Sequence, residues 1–213
     1  MSYQKPALLE AVGKVRQGKE RNFVQSVEVL ISLRDINLKD PSQRFNIESL
    51  LPHAIKKEIK IVLFADGDLA VRGKNEGLTV ISSDKFDQLV KNPKDGKKLA
   101  DDHDFFLAER QYMAKVGRFL GKILGPRGKM PKPVAPNVNI NDLKENYFRT
   151  IRLRLRENPC LNARIGTLSN SDEELADNII SCLATVTGKL PRGAQHIKKV
   201  YMKTTMGSSV LIE

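Results

Sequence analysis

The sequence predicts a mixed α and β protein, with a parallel α/β unit in the middle of the chain and α+β patterns on both sides of it. Near the ends, apolar and polar residues alternate, as at 26–33, which is typical of strands buried on one face. In the middle, short continuously apolar segments are separated by helical patterns, which is typical of a parallel α/β sheet. With 213 residues, 40% of them hydrophobic, the chain can bury one large core or two modest ones. Periodicity alone leaves the nesting of the two parts open.

The N-terminal part predicts one helix and one strand. Residues 5–19 place Leu8 and Val12 at helical spacing, with Pro6 in the first turn, where proline is tolerated. Residues 26–33 then alternate apolar and polar side chains, which predicts a half-buried strand. A polar loop containing Pro41 follows this strand.

The middle part predicts short strands between helices. Residues 60–65, KIVLFA, are apolar after the first lysine, as expected for a strand buried on both faces. The residues Asp66, Gly67 and Asp68 then signal a turn. The other predicted elements are a strand at 78–81, a helix that begins at Ser83 or Asp84, a strand at 104–107 and a helix at about 112–120.

The C-terminal part returns to alternating patterns. Residues 150–156 alternate aliphatic residues with three arginines, which predicts a strand with one apolar and one basic face. Residues 171–187 predict a helix, because Ser171 and Glu174 have the spacing of a capping box. Two further strands are predicted at 162–167 and 197–205, the second followed by a tight turn at 206–207.

The net charge of +11 is concentrated in one stretch of the chain. Residues 109–156 carry twelve Lys or Arg and only three Asp or Glu. A concentrated basic field attracts phosphate backbones and releases their counterions, so nucleic acid is the leading partner. A solvated basic face is the alternative for a charge run alone, but the glycines at 113–133 favour a binding role. Aromatic residues are few, so we expect a folded nucleic acid rather than a broad base-stacking platform.

The segment GKILGPRGKM at 121–130 has three interpretations. An NTPase phosphate loop needs Ser or Thr after its Gly-Lys pair, which this segment lacks. A KH module would use 125–128 as its GxxG tetrad, but the prolines that follow would break the next helix. An irregular basic loop after the helix at 112–120 needs no special geometry, since glycines let backbone N–H groups approach phosphates. Its charges would come from Arg118, Lys122, Arg127, Lys129 and Lys132.

Composition disfavours several other classes of protein. No apolar run is long enough to span a bilayer, and the N-terminus lacks the apolar core of a signal peptide, so we expect a cytoplasmic location and no membrane partner. Cys160 and Cys182 form no CxxC pair, so we expect reduced thiols, no metal and no cofactor. An enzyme acting on RNA or nucleotides stays an alternative, with the DDHD stretch at 101–104 as its candidate metal site. A solvated acidic turn is the simpler interpretation of that stretch, and no catalytic residue is assigned.

Four segments resemble one known family. Residues 117–133, GRFLGKILGPRGKMPKP, resemble the signature of the universal ribosomal protein L-one family of the large subunit's mobile stalk. The segments RNFVQSVEV at 21–29, ELADNI at 174–179 and KTTMGSSV at 203–210 resemble the same family, so the resemblance runs along essentially the whole chain. Two positions depart from it, because Ser208 and Asn22 stand where members commonly have a proline and a basic residue.

The resemblance implies a division of the chain and a set of binding residues. It implies an α+β first domain split between residues 1–62 and 152–213, and an inserted Rossmann-like α/β domain at 63–151. The first domain would recognise an irregular element of large-subunit ribosomal RNA, and the second would bind RNA less extensively through its basic segment. The implied residues of the first domain lie on the first strand, beside it and at the TTMG turn: Arg21, Phe23, Ser26, Glu28, Arg164, Thr204, Thr205, Met206 and Gly207.

The resemblance also implies a function without chemistry. Such a protein is a structural constituent of the large subunit, helps release deacylated tRNA from the exit site, and represses translation where its own messenger RNA offers a similar shape. The implied partners are large-subunit rRNA, exit-site tRNA, its own mRNA and other ribosomal components, with a monomer when free. A KH-like regulator of single-stranded RNA and an enzyme acting on RNA are the alternatives.

Overall fold

The chain folds into two compact units. The structure is a computed structural model and describes residues 4–19, 21–56 and 58–212. The first unit gathers residues up to 57 and from 148 onward, and the second comprises residues 58–147. Both contain helices and strands, so the mixed α and β class predicted from the sequence is confirmed. The predicted domain limits, after 62 and after 151, fall within two strands, Ile61–Phe64 and Thr150–Leu155.

The elements follow one another along the described residues in this order. The helices are α1 (Lys5–Arg16), α2 (Gly67–Asn75), α3 (Ser83–Lys91), α4 (Pro93–Asp102), α5 (Arg110–Arg127), α6 (Ile140–Phe148) and α7 (Asp172–Lys189). The strands are β1 (Ser26–Leu33), β2 (Phe45–Leu50), β3 (Ile61–Phe64), β4 (Thr79–Ile81), β5 (Phe105–Glu109), β6 (Lys132–Val134), β7 (Thr150–Leu155), β8 (Cys160–Thr167), β9 (Ile197–Thr204) and β10 (Val210–Ile212).

The first unit is an antiparallel sheet with two helices on one face. The strands lie in the order β10-β9-β1-β8, and β2 pairs with β7 in a separate two-stranded sheet. Helices α1 and α7 contact each other and the four-stranded sheet. The core between them contains alternating residues of the strands and one stripe of each helix, including Leu8, Val12, Val29, Ile31, Ala163, Ile165, Ile179 and Met202. Burial on one face explains why a period of two predicted β1 and β7.

The start of α7 shows the predicted capping box. The Glu174 N–H donates to the Ser171 hydroxyl oxygen at 3.2 Å, and the Ser171 N–H donates to the Glu174 carboxylate at 3.1 Å. Two backbone donors that the helix itself cannot satisfy are therefore bonded.

The second unit is a parallel sheet covered on both faces. Its strands lie in the order β4-β3-β5-β6, and every neighbouring pair is parallel. Alternate residues of β3 enter two different apolar clusters, with Ile61 and Leu63 in one and Val62 and Phe64 in the other. This two-sided burial explains the continuous apolar pattern of the strand.

The prediction of an irregular loop after residue 120 is wrong, because α5 continues to Arg127. Leu120 and Leu124 extend the stripe formed by Tyr112 and Val116, and all four side chains are buried. Each glycine in a helix costs about 1 kcal/mol relative to alanine, but burying a leucine side chain contributes about 2 kcal/mol. The helix therefore passes its glycines and ends at Gly128, whose φ of 68° is left-handed.

Several elements were not predicted. The Asp66–Asp68 turn signals start α2 directly, with Gly67 at a φ of 60° in its first position. The other unpredicted elements are short or have little apolar periodicity: β2, α4, β6, α6 and β10.

Candidate RNA-binding site

Hydrogen bonds join the turn at 205–207 to the start of β1. The Thr205 N–H donates to the Ser26 carbonyl at 3.0 Å, and the Ser26 N–H donates to the Thr205 hydroxyl oxygen at 3.2 Å. The Met206 N–H donates to the side-chain carbonyl of Gln25 at 3.2 Å. Gln25 and Ser26 are themselves buried, so the turn is held by partners with fixed positions. Residues from the two ends of the chain thus build one surface.

Gly207 is required by the packing of the turn. A Cβ atom at this position would lie 2.3 Å from the hydroxyl oxygen of Thr204, far inside van der Waals contact. Thr204 is only 2% exposed. The family resemblance implies that Ser26 and Thr204 bind RNA. In the structure both residues are buried and support the turn from below.

Three large apolar side chains project beside this turn. Phe23 is 54% exposed, Val24 63% and Met206 59%. Exposed apolar side chains of this size beside a rigid turn are suited to contact with the sugar and base faces of RNA. Phe23 and Met206 were predicted from the sequence, whereas Val24 was not.

Charged residues lie beside the turn on the same sheet. Glu28 of β1 is opposite Arg164 of β8 on one side and opposite Lys203 of β9 on the other. All three side chains are half-buried. The Nε atom of Arg164 is buried and has no hydrogen-bond partner among the residues that the structure describes.

A groove next to Phe23 adds further positive charge. It has a volume of about 240 Å³ and is lined in part by Lys19, Arg21, Phe23 and Gln25. Lys19 and Arg21 are exposed. The predicted Arg21 thus lies at the edge of the same surface as the turn.

The predicted basic residues of the second unit divide into two groups. Arg118 and Lys122 are exposed on α5, and Lys115 lies three residues before Arg118 on the same helix face. Lys132 is exposed on β6. Lys115, Arg118 and Lys122 form a basic row on α5, although Lys115 was not among the predicted residues.

Arg127 and Lys129 have partners within the second unit. Arg127 forms an ion pair with Asp101 at 2.9 Å. The Lys129 ammonium donates to the carbonyl oxygens of Ala100 and His103, each at 2.7 Å. These carbonyls lie at the end of α4, where a cation is favourable. Both side chains therefore stabilise the second unit, and no pattern in the sequence indicates these partners.

The acidic stretch at 101–104 has structural partners. The His103 ring contacts the Leu99 carbonyl at 3.1 Å and the Thr79 hydroxyl at 3.0 Å, and Asp104 accepts from the Lys60 N–H at 3.3 Å. Within the described ranges, no cluster of three or more His, Cys, Asp or Glu residues could hold a metal ion. The stretch thus connects α4 to β5.

The tetrad at 125–128 differs from the KH arrangement. Its first three residues form the end of α5, Gly128 ends the helix, and the strand β6 follows. A KH loop requires a helix after its GxxG tetrad. In the part of the chain that the structure describes, no helix is long and apolar enough to cross a membrane.

Comparison with known proteins identifies the family. Residues 15–208 match the Ribosomal protein L1p/L10e family. The chain belongs to this family. The large ribosomal subunit protein uL1 of Pyrococcus horikoshii is 45% identical, and the alignment covers 100% of this chain and 98% of that protein. The proteins of the same name from Thermococcus kodakarensis and Methanocaldococcus jannaschii are 43% and 42% identical, over 100% and 97% of this chain and 100% and 95% of their own lengths.

Membership of the L1p/L10e family confirms three predictions. The resemblance drawn from four segments is correct, the chain is a ribosomal protein, and it is not an enzyme. Sequence reasoning about this member of the L1p/L10e family missed Val24, Gln25, Lys115 and Lys203 as parts of the two surfaces. Lys115 could have been found from its helical spacing to Arg118 and Lys122, whereas the positions of Gln25 and Lys203 depend on contacts between distant segments.

Proposed function

We propose that this ribosomal protein binds an irregular, folded element of large-subunit rRNA, with its main contact on the first unit. The supporting observation is the turn at 205–207, which hydrogen bonds hold against the start of β1. Phe23, Val24 and Met206 project into solvent beside this turn. A surface for a shaped RNA needs a rigid backbone that fits the ligand, apolar contacts for sugars and bases, and cations for phosphates.

Each requirement has a source on this surface. The turn backbone keeps one shape because Gly207 leaves room for the buried Thr204 side chain, and Phe23 and Met206 supply apolar contacts. Arg21 and Arg164 supply positive charge, and the carboxylate of Glu28 can accept from a guanine edge or a 2′-hydroxyl.

The second unit adds a weaker contact in this proposal. Lys115, Arg118 and Lys122 form a row along α5, and Lys132 adds a fourth charge. This Rossmann-like unit is not the main recognition surface, because its cations can contact phosphates of any sequence. It would assist the stalk as deacylated tRNA leaves the exit site.

Two finer parts of the proposal concern partners. The protein is a monomer when free and joins rRNA and other ribosomal components during assembly of the large subunit. The same surface of the first unit would bind its own messenger RNA and repress translation where that RNA folds into a similar shape.

A binding titration tests the proposed function. The purified protein is titrated with a large-subunit RNA fragment that contains the stalk helices, and with a scrambled RNA of equal length, at two salt concentrations. A preference for the stalk fragment that survives the higher salt supports shape-specific recognition. Equal binding that disappears with salt would leave only a basic surface and contradict the proposal.

A further inference from the structure

The four-stranded sheet of the first unit has a second, open face. Helices α1 and α7 pack against one face, where the strands bury residues such as Val29 and Met202. The alternate residues point to the other face, and each is half-buried or exposed. The strand register arranges them in three rows: Arg164, Glu28 and Lys203; Asn162, Leu30, Tyr201 and Leu211; and Cys160, Ser32 and Lys199.

Tyr201 lies at the centre of this open face. Leu30 of β1 and Leu211 of β10 are its cross-strand neighbours, so the ring has an apolar side chain on each side. Lys199 and Lys203 lie two residues before and after it on β9, about 7 Å away along the strand. An aromatic ring between two cations is suited to a nucleotide, because the ring stacks on the base and the ammonium groups attract the adjacent phosphates.

The architecture around Tyr201 is the one in which aromatic residues of a sheet stack on RNA bases. RNA-recognition motifs use a four-stranded sheet whose exposed aromatic residues stack on two or three bases. Here the sheet is likewise four-stranded, with its helices on the opposite face. Only one aromatic residue lies among the ten open-face residues, which limits stacking to one base.

The open face continues the surface at the turn. Its first row contains Glu28, Arg164 and Lys203, which lie beside the turn at 205–207. An RNA bound at the turn would therefore reach Tyr201 in the next row of the same sheet. The positive charges of Lys199, Lys203 and Arg164 complement an RNA backbone along this path.

We propose that Tyr201 stacks on one unpaired base of the RNA that the turn binds, and that Lys199 and Lys203 contact the flanking phosphates. This inference rests on the proposed function and adds to it a residue that distinguishes an unpaired nucleotide from a helical one. Stacking on a ring tolerates any base, so the residue selects for the unpaired state rather than for sequence.

Two substitutions at Tyr201 test the inference. Tyr201→Leu keeps an apolar side chain but removes the ring, and Tyr201→Phe keeps the ring. In the full-length protein, Tyr201→Leu is expected to weaken binding to the stalk RNA fragment by about 5- to 100-fold, and Tyr201→Phe by less than about twofold. Neither changes charge, so the salt dependence of binding stays the same, whereas Lys199→Ala makes it shallower.

An abasic scan of the RNA gives a second measurement that does not depend on the stability of the variants. Each unpaired nucleotide of the fragment is replaced in turn by an abasic one. One position is expected to weaken binding of the unaltered protein but not of Tyr201→Leu, since the two changes remove the same contact. Equal affinity of Tyr201→Leu and the unaltered protein, or no abasic position coupled to Tyr201, would overturn the inference. Failure of the proposed function would look different, since the unaltered protein would then bind the scrambled RNA equally well.

Discussion

Thr205 and Ser26, which lie near opposite ends of the chain, are joined by three hydrogen bonds. The Thr205 N–H donates to the Ser26 carbonyl at 3.0 Å, and the Ser26 N–H donates to the Thr205 hydroxyl oxygen at 3.2 Å. The hydroxyl also lies 3.3 Å from the Ser26 carbonyl, to which it donates. This hydroxyl donates one hydrogen bond and accepts another within the protein. Only one lone pair is therefore left to accept a hydrogen bond from RNA.

Replacing Thr205 with valine should loosen the turn while keeping the shape of the side chain. Loss of the hydroxyl leaves the buried Ser26 N–H without this partner, so we expect the free energy of unfolding to fall by about 1–2 kcal/mol. Affinity for the stalk RNA fragment should fall as well, because the turn is less fixed. Thermal unfolding and an RNA titration measure the two effects, with Thr187→Val on α7 as a matched control. Unchanged stability and affinity in Thr205→Val would contradict the role of this hydroxyl.

The two surfaces should differ in their response to salt. Met206→Ala removes an exposed apolar contact, so we expect about tenfold weaker binding to the RNA fragment with an unchanged salt slope. Lys122→Ala removes a phosphate contact, so the slope of log affinity against log salt should become shallower by about 0.7–0.9. Titrations at four or more salt concentrations measure both slopes.

Lys129→Ala is the control for that comparison, because its ammonium bonds to carbonyls at the end of α4. We expect a loss of about 1–2 kcal/mol in the free energy of unfolding and no change in salt slope. Identical slopes in Met206→Ala and Lys122→Ala would contradict the separation of apolar and phosphate contacts.

The glycines of α5 should differ in their tolerance of alanine. A Cβ atom at Gly121 would have nothing within 4 Å, so Gly121→Ala should stabilise the protein by about 0.5–1 kcal/mol. Gly128 ends the helix at a φ of 68°, where alanine is strained, so Gly128→Ala should destabilise it by about 1 kcal/mol. Chemical denaturation of both variants tests the continuous helix. Destabilisation by Gly121→Ala would indicate that this segment is not helical.

Stability should depend on Glu174 at acidic pH. Hydrogen bonds from the Lys56 ammonium, the Asn170 amide and the Ser171 N–H lower the pKa of Glu174 from its ordinary value of 4.5 to about 2. Because the pKa is lowered in the folded protein, ionised Glu174 contributes its full stabilisation of the fold above about pH 4.5. This contribution is lost as pH falls toward 2. Glu174→Gln should therefore lose less stability than the unaltered protein between these pH values, as measured by denaturant unfolding. Parallel curves for the two proteins would contradict the predicted contribution.

The elements that the sequence predicted well are those in which one physical pattern decides the structure. In β1 and β7 burial of a single face imposes a period of two, and in α7 the capping box marks the start of the helix. The end of α5 differs from the prediction because burial of the apolar stripe that continues to Leu124 outweighs the helix-breaking tendency of the glycines.

The candidate site could be predicted only in part for a different reason. Phe23 and Met206 were found through the family resemblance, but their exposure depends on packing between the two ends of the chain. In the same way, no local pattern distinguishes Lys129, which bonds to α4, from Lys122, which is exposed. Contacts between distant segments decide the role of such residues.

Hydrogen exchange of the full-length protein, free and saturated with the stalk RNA fragment, tests the central claim most directly. We predict that the RNA protects backbone amides at the start of β1 and at the turn 205–207 most strongly, with weaker protection along α5. Protection confined to α5, with the turn exchanging as in the free protein, would contradict the assignment of the main RNA contact to the first unit.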